Sequence, residues 1–258
     1  MSGIWAAGFW GLVGGSALVL GAGIAWAVRL PQRLIAAVMA VGSGVLISAV
    51  AFDLMDEAYA QGGFGATAAG FVGGALVYTL ANVAVSRAGA RHRKRSGSNP
   101  DEAQPGPEAD AGAGNSGLAI AIGALLDGIP ESVVIGVSLL DGTGVSTVTV
   151  AAVFLSNVPE GLSSAAGMKR AGRGAGYVFG VWGAIALASG IAAMAGNALL
   201  AGAAPALIAG VTAVAAGAIL AMLVDTMIPE ATENTHEYSG LIAVVGFLGA
   251  FVLTKLGG

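Results

Sequence analysis

Two short segments of the chain, LDGIPE and LSNVPEG, combine a proline with carboxylates inside otherwise apolar sequence. They superimpose when one is shifted by 29 positions. In a helix, Asp127 and Glu131 of the first segment are four residues apart and project from one face. Ser156 and Glu160 repeat this spacing in the second segment, with Asn157 beside them. Ionisable groups in such apolar surroundings are unfavourable unless they are paired, and the repetition of the same polar set indicates a functional site.

Each proline also changes the chemistry of the backbone. Proline has no N–H, so the carbonyl four residues earlier, that of Leu126 or Leu155, loses its helical partner. Two such helices facing each other would present carboxylate, amide, hydroxyl and carbonyl oxygens around one point. Hard oxygen ligands of this kind suit a divalent cation. For one segment alone, a simple kink with a carboxylate that holds helices together is the alternative, and the repetition favours the metal site.

The composition excludes an ordinary soluble domain. Of 258 residues, 56% are hydrophobic and 10% are charged, whereas charged residues make up about a quarter of a typical soluble domain. The 43 glycines fit helices that approach each other closely in a membrane. There is no Cys, so thiolate ligands and disulfides are excluded. We therefore expect an all-α polytopic membrane protein, forming one transmembrane domain over 1–258.

Apolar runs long enough to span a bilayer, about 20 residues each, recur along the chain. The N-terminal run has no basic region before it, so we expect a retained helix and not a cleaved signal peptide. The connection over 87–116 begins with a basic cluster and continues with polar residues, and it predicts a flexible, solvated cytoplasmic loop. The eight predicted spans are 6–28, 34–55, 66–86, 117–139, 146–167, 175–199, 206–229 and 239–256.

The basic residues predict the orientation. Ten of the eleven Lys and Arg residues follow the first, third and fifth spans, which places them on one side of an eight-helix topology. By the positive-inside rule that side is the cytoplasm, and both termini lie outside, in a plasma membrane or bacterial inner membrane. The basic cluster after the third span is interpreted as a topology and anionic-lipid signal and not as a nucleic-acid site. No Arg or Lys is expected within the spans.

An internal repeat relates the first three spans to the last three. Gly11 matches Gly180 and Gly44 matches Gly217, and each match continues along its span. Because the matched helices are five apart, the repeat is inverted, a design typical of transporters that bind substrate where central helices are interrupted.

The repeat also places two acids near corresponding positions. Asp53 lies near the end of the second span and Asp225 near the end of the seventh, each about a turn deeper than the neighbouring acids. We expect these two carboxylates to pass a cation towards or away from the central site.

At these residues the chain resembles the ZIP family of zinc- and iron-type metal transporters, whose fourth and fifth helices carry His-Asn-x-Pro-Glu-Gly-like signatures. SNVPEG matches five of the six positions, with Ser156 in place of the His. The fourth-span segment keeps Pro130 and Glu131 and has Asp127 where the His would stand. The resemblance is specific over these two motifs.

The resemblance implies eight helices in a 3+2+3 arrangement around two proline-kinked helices, with both termini outside and two protomers in a homodimer. It also implies transport of a divalent cation such as Zn²⁺, Fe²⁺ or Mn²⁺ towards the cytoplasm, with no prosthetic group and no enzymatic activity. The implied metal ligands are Asp127, Glu131, Asn157 and Glu160, with Ser156 as an additional candidate.

The motifs depart from the family in having no imidazole. The two histidines, His92 and His236, lie in polar connections and are expected to be solvated. A site of oxygen ligands alone favours harder ions such as Mn²⁺ and Fe²⁺, although zinc also accepts carboxylates.

Three other functions remain open. The same carboxylates could relay protons in a transporter of another small solute. Asp127 and Asp225 could form an intramembrane aspartyl protease, although the repeated Pro-Glu is then unexplained. A scaffold without transport activity is the third alternative, and it would tolerate replacement of Glu131 or Glu160 by Gln.

Overall fold

The computed structural model describes residues 3–97, 101, 103–110, 116–140, 144–233 and 237–257. All regular structure within these ranges is helical, as the composition predicts, and they contain no strand. His236 and parts of the connection over 87–116 lie outside the described residues. The α-helices of the described ranges are α1 (Gly3–Ala27), α2 (Gln32–Ala49), α3 (Met55–Val85), α4 (Ser116–Val137), α5 (Thr147–Arg170), α6 (Ala175–Leu200), α7 (Pro205–Met222), α8 (Ile228–Glu233) and α9 (Ser239–Gly257).

Six helical stretches in the described part of the chain are long and apolar enough to cross a membrane, which makes this a multi-pass membrane protein. Two features explain why six stretches are found where the sequence predicts eight spans. The 59-residue stretch Gln32–Ala90 is one of the six, although its backbone departs from helical geometry at Gly63, where φ is 67°. A positive φ of this size is readily adopted only by glycine. The more polar α5, with 24 residues, is not among the six.

Both candidate acids outside the central motifs lie in π-helical segments. Val50–Leu54 joins α2 to α3 and contains Asp53, and Leu223–Met227 joins α7 to α8 and contains Asp225. Helix continues beyond residues 55 and 229, the predicted ends of the second and seventh spans, into α3 and α8. Single-turn π segments occur frequently at functional sites.

The central prolines do not end their helices. Pro130 lies inside α4 and Pro159 lies inside α5, and both helices are continuous through the motif. A proline removes one hydrogen bond from a helix interior, and packing of neighbouring helices compensates for this loss in membrane proteins. Each motif is therefore presented on a regular helical face.

Close glycine contacts join α2 to α9. A Cβ on Gly44 would overlap the carbonyl oxygen of Ala243, and a Cβ on Gly246 would overlap that of Val41. Each helix thus uses one glycine to approach the other's backbone. Such close approach through small residues drives association of membrane helices.

The contact between α3 and α7 has the same form. A Cβ on Gly74 would overlap the carbonyl oxygen of Val214, and one on Gly217 would overlap that of Phe71. The remaining large contacts join α1 to α5 and α6, and α4 to α6.

Helix α4 belongs to two buried apolar clusters. Val134 packs with Tyr78 and Met222 in one cluster, and Ile120 packs with Trp182 in the other. The acids of α4 lie between these two positions in the sequence. Packing on both sides therefore holds the acidic face in the interior.

A glycine pair on α9 tests the importance of close helix approach. Gly246→Val should destabilise the protein by about 1–3 kcal/mol, because the new side chain must displace backbone atoms of α2. Gly249→Val, on the same helix with no atom within 4 Å of a Cβ, is the matched control. Thermal unfolding in detergent measures the difference, and equal effects of the two substitutions would contradict this packing.

Candidate functional site

The side chains of both central motifs are buried. Asp127 and Glu131 on α4 are each 1% exposed, and Glu160 on α5 is 3% exposed. Ser156 and Asn157 are buried as well. The structure therefore places all five of these predicted residues in the interior of the helical assembly.

Asp127 is held by an arginine and a tyrosine. Arg93 donates from Nε to Oδ2 at 2.9 Å and from Nη2 to Oδ1 at 2.8 Å, and Tyr78 donates its hydroxyl to Oδ1 at 2.7 Å. The two parallel bonds form the bidentate arrangement that makes arginine–carboxylate pairs strong. Both oxygens of Asp127 are thus committed to protein donors.

Lys94 lies between the two motifs. Its Nζ is 3.0 Å from Glu160 Oε2 and 3.3 Å from Asp127 Oδ2, and it is 2.9 Å from the sulfur of Met222 on α7. The ammonium therefore bridges the acids of α4 and α5.

The prediction that the basic cluster is solvated was wrong for its centre. Arg93 and Lys94 are 1% and 3% exposed, and Ser96 is fully buried. Charged carboxylates in a low-dielectric interior need a counter-charge, and these two side chains supply it. The flexibility of the remainder of 87–116 stays a prediction.

Hydroxyl and amide groups fix the residues 93–96, hereafter the basic segment. Ser164 of α5 donates its hydroxyl to the carbonyl of Arg93 at 2.6 Å, and Ser163 donates to that of Lys94 at 2.8 Å. Gln104 Nε2 donates to the carbonyl of Arg93 at 2.9 Å. The basic segment therefore lies directly against α5.

A buried glutamate on α8 fixes the end of the basic segment. Glu230 is fully buried, and its Oε1 accepts hydrogen bonds from the backbone N–H of Ser96 at 3.0 Å and from the Ser96 hydroxyl. The Ser163 hydroxyl donates to the same oxygen at 3.0 Å. Arg95 forms an ion pair of 2.8 Å with Glu233. Both acids of α8 thus contact this segment.

The far side of the connection is held by Arg173. Its guanidinium forms an ion pair of 2.7 Å with Asp110 and donates to the carbonyl of Pro105, next to Gln104. Hydrogen bonds from Arg173 and Ser116 hold the pKa of Asp110 well below its usual range. The contact is therefore present at neutral pH and is lost only as the pH falls through that lowered pKa.

Glu131 has no protein partner in the described part of the chain. Both of its carboxylate oxygens are buried without a hydrogen bond, as is Oδ2 of Asp53. A cavity of about 20 Å³ is lined by Glu131, Asp53 and Thr149, and this volume accommodates about one water molecule. The structure therefore brings Asp53 to the same cavity as a central acid.

Asp225 connects to the site through two side chains. Asn82 donates to Asp225 Oδ2 at 3.2 Å and accepts from Arg93 Nη1 at 2.9 Å. A crevice of about 450 Å³, lined by Asp225, Asn82, Arg87 and other residues, opens beside this chain. Asp225 therefore lies at the mouth of a polar path that leads to Asp127.

Two predicted ligands, Ser156 and Asn157, donate hydrogen bonds to backbone carbonyls. The Ser156 hydroxyl donates to the Val153 carbonyl at 2.9 Å, and Asn157 Nδ2 donates to the Gly14 carbonyl of α1 at 3.1 Å. Among the described residues, no three His, Cys, Asp or Glu side chains lie close enough together to hold a metal ion. The ammonium of Lys94 occupies the space between Asp127 and Glu160.

Fold and site together define a multi-pass helical membrane protein with ionised groups gathered in its interior. Neither the models of known protein families nor the curated proteins contain a match to the chain. Its function is therefore inferred from its own residues.

The pairing of Arg93 with Asp127 predicts a large effect of removing one partner. Arg93→Ala should destabilise the protein by about 3–5 kcal/mol, because it leaves a buried carboxylate without its charge partner. Arg91→Ala, an exposed arginine two residues earlier, should have little effect. Unfolding in detergent measures both variants. Adding Asp127→Asn to Arg93→Ala should restore part of the loss, and a lack of any rescue would show that the pair is not the cause.

Proposed function

We propose that this protein transports a divalent metal cation, such as Zn²⁺, Fe²⁺ or Mn²⁺, across a membrane towards the cytoplasm. The observation that carries the proposal is the burial of Asp127, Glu131 and Glu160 in the interior of a membrane protein, with cationic groups bound to Asp127 and Glu160. Ionisable groups at such positions mark ion pathways. The acids of α4 and α5 form the oxygen-ligand site, and the metal is the substrate.

The charge of the site supports a cationic substrate. Three carboxylates face two positive groups, Arg93 and Lys94, and Glu131 has both oxygens without a hydrogen bond. A divalent ion in the place of the ammonium would supply one more positive charge and use the oxygens of Glu131. Carboxylates are the principal ligands at hand, and their hard oxygens favour Mn²⁺ or Fe²⁺.

The positions of Asp53 and Asp225, the outer acids, support a route for the cation through the protein. Asp53 shares a cavity with Glu131, whereas Asp225 lines a crevice and is linked to Asp127 by hydrogen bonds through Asn82 and Arg93. The two outer acids therefore stand on different approaches to the central acids. In the proposal, each carboxylate attracts the cation to one approach.

We also propose the ZIP-like architecture, with eight helices in a 3+2+3 arrangement and an inverted repeat. The break at Gly63 divides the longest apolar stretch, and α5 is about 36 Å long, enough to span a bilayer. Helix α2 with its π segment and helix α7 with its π segment match at a constant offset of 173 residues. The glycine contacts of α2 with α9 and of α3 with α7 have the same form. A homodimer and outside termini complete this proposal by analogy with the family.

A proton-linked transporter of another small solute is the second candidate. The burial of Asp127, Glu131 and Glu160 favours it, because carboxyl groups inside membrane proteins also serve as proton relays. An aspartyl protease receives no such support. Arg93 and Asn82 lie between Asp127 and Asp225, whereas a catalytic dyad needs two carboxylates that share a proton. We expect no enzymatic activity.

Uptake into proteoliposomes tests the proposal. Wild-type protein should show saturable uptake of at least one of Mn²⁺, Fe²⁺, Zn²⁺ and Cd²⁺, and Glu160→Gln should reduce it at least about tenfold, since a neutral amide binds a cation far more weakly than a carboxylate. The matched control is Glu108→Gln, an exposed glutamate in the connection before α4.

The outcomes separate the candidate functions. Loss of uptake in Glu160→Gln with retention in Glu108→Gln supports a carboxylate-bound metal substrate. Absence of uptake of all four ions by folded wild-type protein would reject metal transport and favour the proton-linked transporter.

A further inference from the structure

We propose that Lys94 is a tethered substitute for the transported ion, which occupies the cation position whenever the metal is absent and must leave before the metal binds. This inference rests on the proposed function and identifies a residue that sets the affinity of the site. It follows from where the ammonium lies, how it is held and which ligands it uses.

The surroundings of the ammonium resemble a coordination site. Lys94 Nζ contacts Glu160 of α5, Asp127 of α4 and Met222 of α7, at 3.0, 3.3 and 2.9 Å. An ammonium has three N–H donors, and three contact atoms from three helices surround it. The lysine therefore gathers the helices around one positive charge, as a bound metal would.

Arg93 and Lys94 differ in how firmly their side chains are held. Arg93 makes two bonds to Asp127 and further bonds to Tyr78 and Asn82, so its position is fixed by several partners. Lys94 carries a point charge on a flexible stem. Withdrawal of Lys94 alone would free Glu160 beside Glu131, whose oxygens have no hydrogen-bond partner. The ion then binds between these two glutamates while Arg93 keeps Asp127 neutralised.

The contacts of the basic segment keep Lys94 near the acids, so that its ammonium can bind them again when the metal leaves. The carbonyls of Arg93 and Lys94 accept hydrogen bonds from Ser164 and Ser163, and Ser96 is bonded to Glu230. These contacts keep the ammonium at a high local concentration near the acids, as any linker does for a tethered ligand. Metal and lysine therefore compete for Glu160, and metal binding draws residues 94–96 away from α5 while the Arg93 side chain stays on Asp127.

A purely structural role for Lys94 predicts a different effect of its removal on metal affinity. If Lys94 only neutralised the acids, its removal would weaken the protein and would not improve metal binding. A competing lysine predicts tighter binding of the metal once the ammonium is gone. The two roles are therefore separated by the sign of the change in affinity.

Equilibrium binding of Mn²⁺ to purified protein in detergent measures that sign. Lys94→Met, which keeps the length of the side chain and removes the charge, should bind Mn²⁺ at least about tenfold more tightly than wild type. Lys169→Met, on the same helix as Glu160 with its ammonium bonded to the Trp26 carbonyl, is the control and should leave the affinity unchanged. Unchanged or weaker binding by folded Lys94→Met would overturn the inference.

A second variant tests the same inference if Lys94→Met does not fold. Gln104→Ala leaves every acid in place and removes hydrogen bonds to the carbonyls of Arg93, Arg95 and Ser164. Because its basic segment is held less firmly, Gln104→Ala should also bind Mn²⁺ more tightly than wild type, by a smaller factor than Lys94→Met. Absence of binding of Mn²⁺, Fe²⁺, Zn²⁺ and Cd²⁺ alike in wild type and in both variants would reject the proposed function itself, whereas Mn²⁺ binding that is equal in all three would reject only the role of Lys94.

Labelling reports the movement of the basic segment independently of affinity. The chain has no cysteine, so Ser96→Cys provides a single thiol at a fully buried position. Saturating Mn²⁺ should accelerate its reaction with a water-soluble maleimide several-fold, since residues 94–96 leave α5. Ala103→Cys, at an exposed position of the same connection, should react at the same rate with and without Mn²⁺. A Ser96→Cys rate that does not change at saturating Mn²⁺ would overturn the inference.

Discussion

The structure depends on the neutralisation of carboxylates that have been taken out of water. Asp127, Glu131 and Glu160 lie in the interior of a helical membrane protein, where an uncompensated charge is strongly unfavourable. Arg93 and Lys94 supply the compensating charge from the connection that follows α3. Two positive groups do not match three acids, and Glu131 is the acid without a hydrogen-bond partner. In the proposal, the transported cation supplies the positive charge that these acids lack.

The helices serve this cluster by presenting acids and by holding the basic segment in place. Small residues let α2 approach α9 and let α3 approach α7, so a chain rich in glycine packs without large interior side chains at those contacts. Ser163 and Ser164 follow the second motif on α5 and bind the backbone of the basic segment, while Glu230 binds its end. The same helix therefore supplies both a carboxylate and the support for its counter-charge.

Sequence reasoning predicted the helical membrane class and the burial of both acidic motifs, because hydropathy and spacing are local properties. It placed Arg93 and Lys94 in a solvated loop, since a basic cluster after an apolar span normally remains at the membrane surface. Their burial depends on acids that lie far away in the sequence, such as Asp127, 34 residues after Arg93. The unpaired acids were the available signal, because buried charges need partners. The bend at Gly63 was equally hidden, since one glycine among 43 carries no distinguishing pattern.

The central claim is that a divalent ion and Lys94 compete for the carboxylate of Glu160. Anomalous diffraction from crystals of the wild-type protein grown with saturating Mn²⁺ tests this most directly, because it locates the ion and the lysine in one map. The account predicts an anomalous peak between the carboxylates of Glu131 and Glu160, with the Lys94 side chain displaced from them. A lysine that still bridges Asp127 and Glu160 at full occupancy, with no manganese beside the acids, would contradict it.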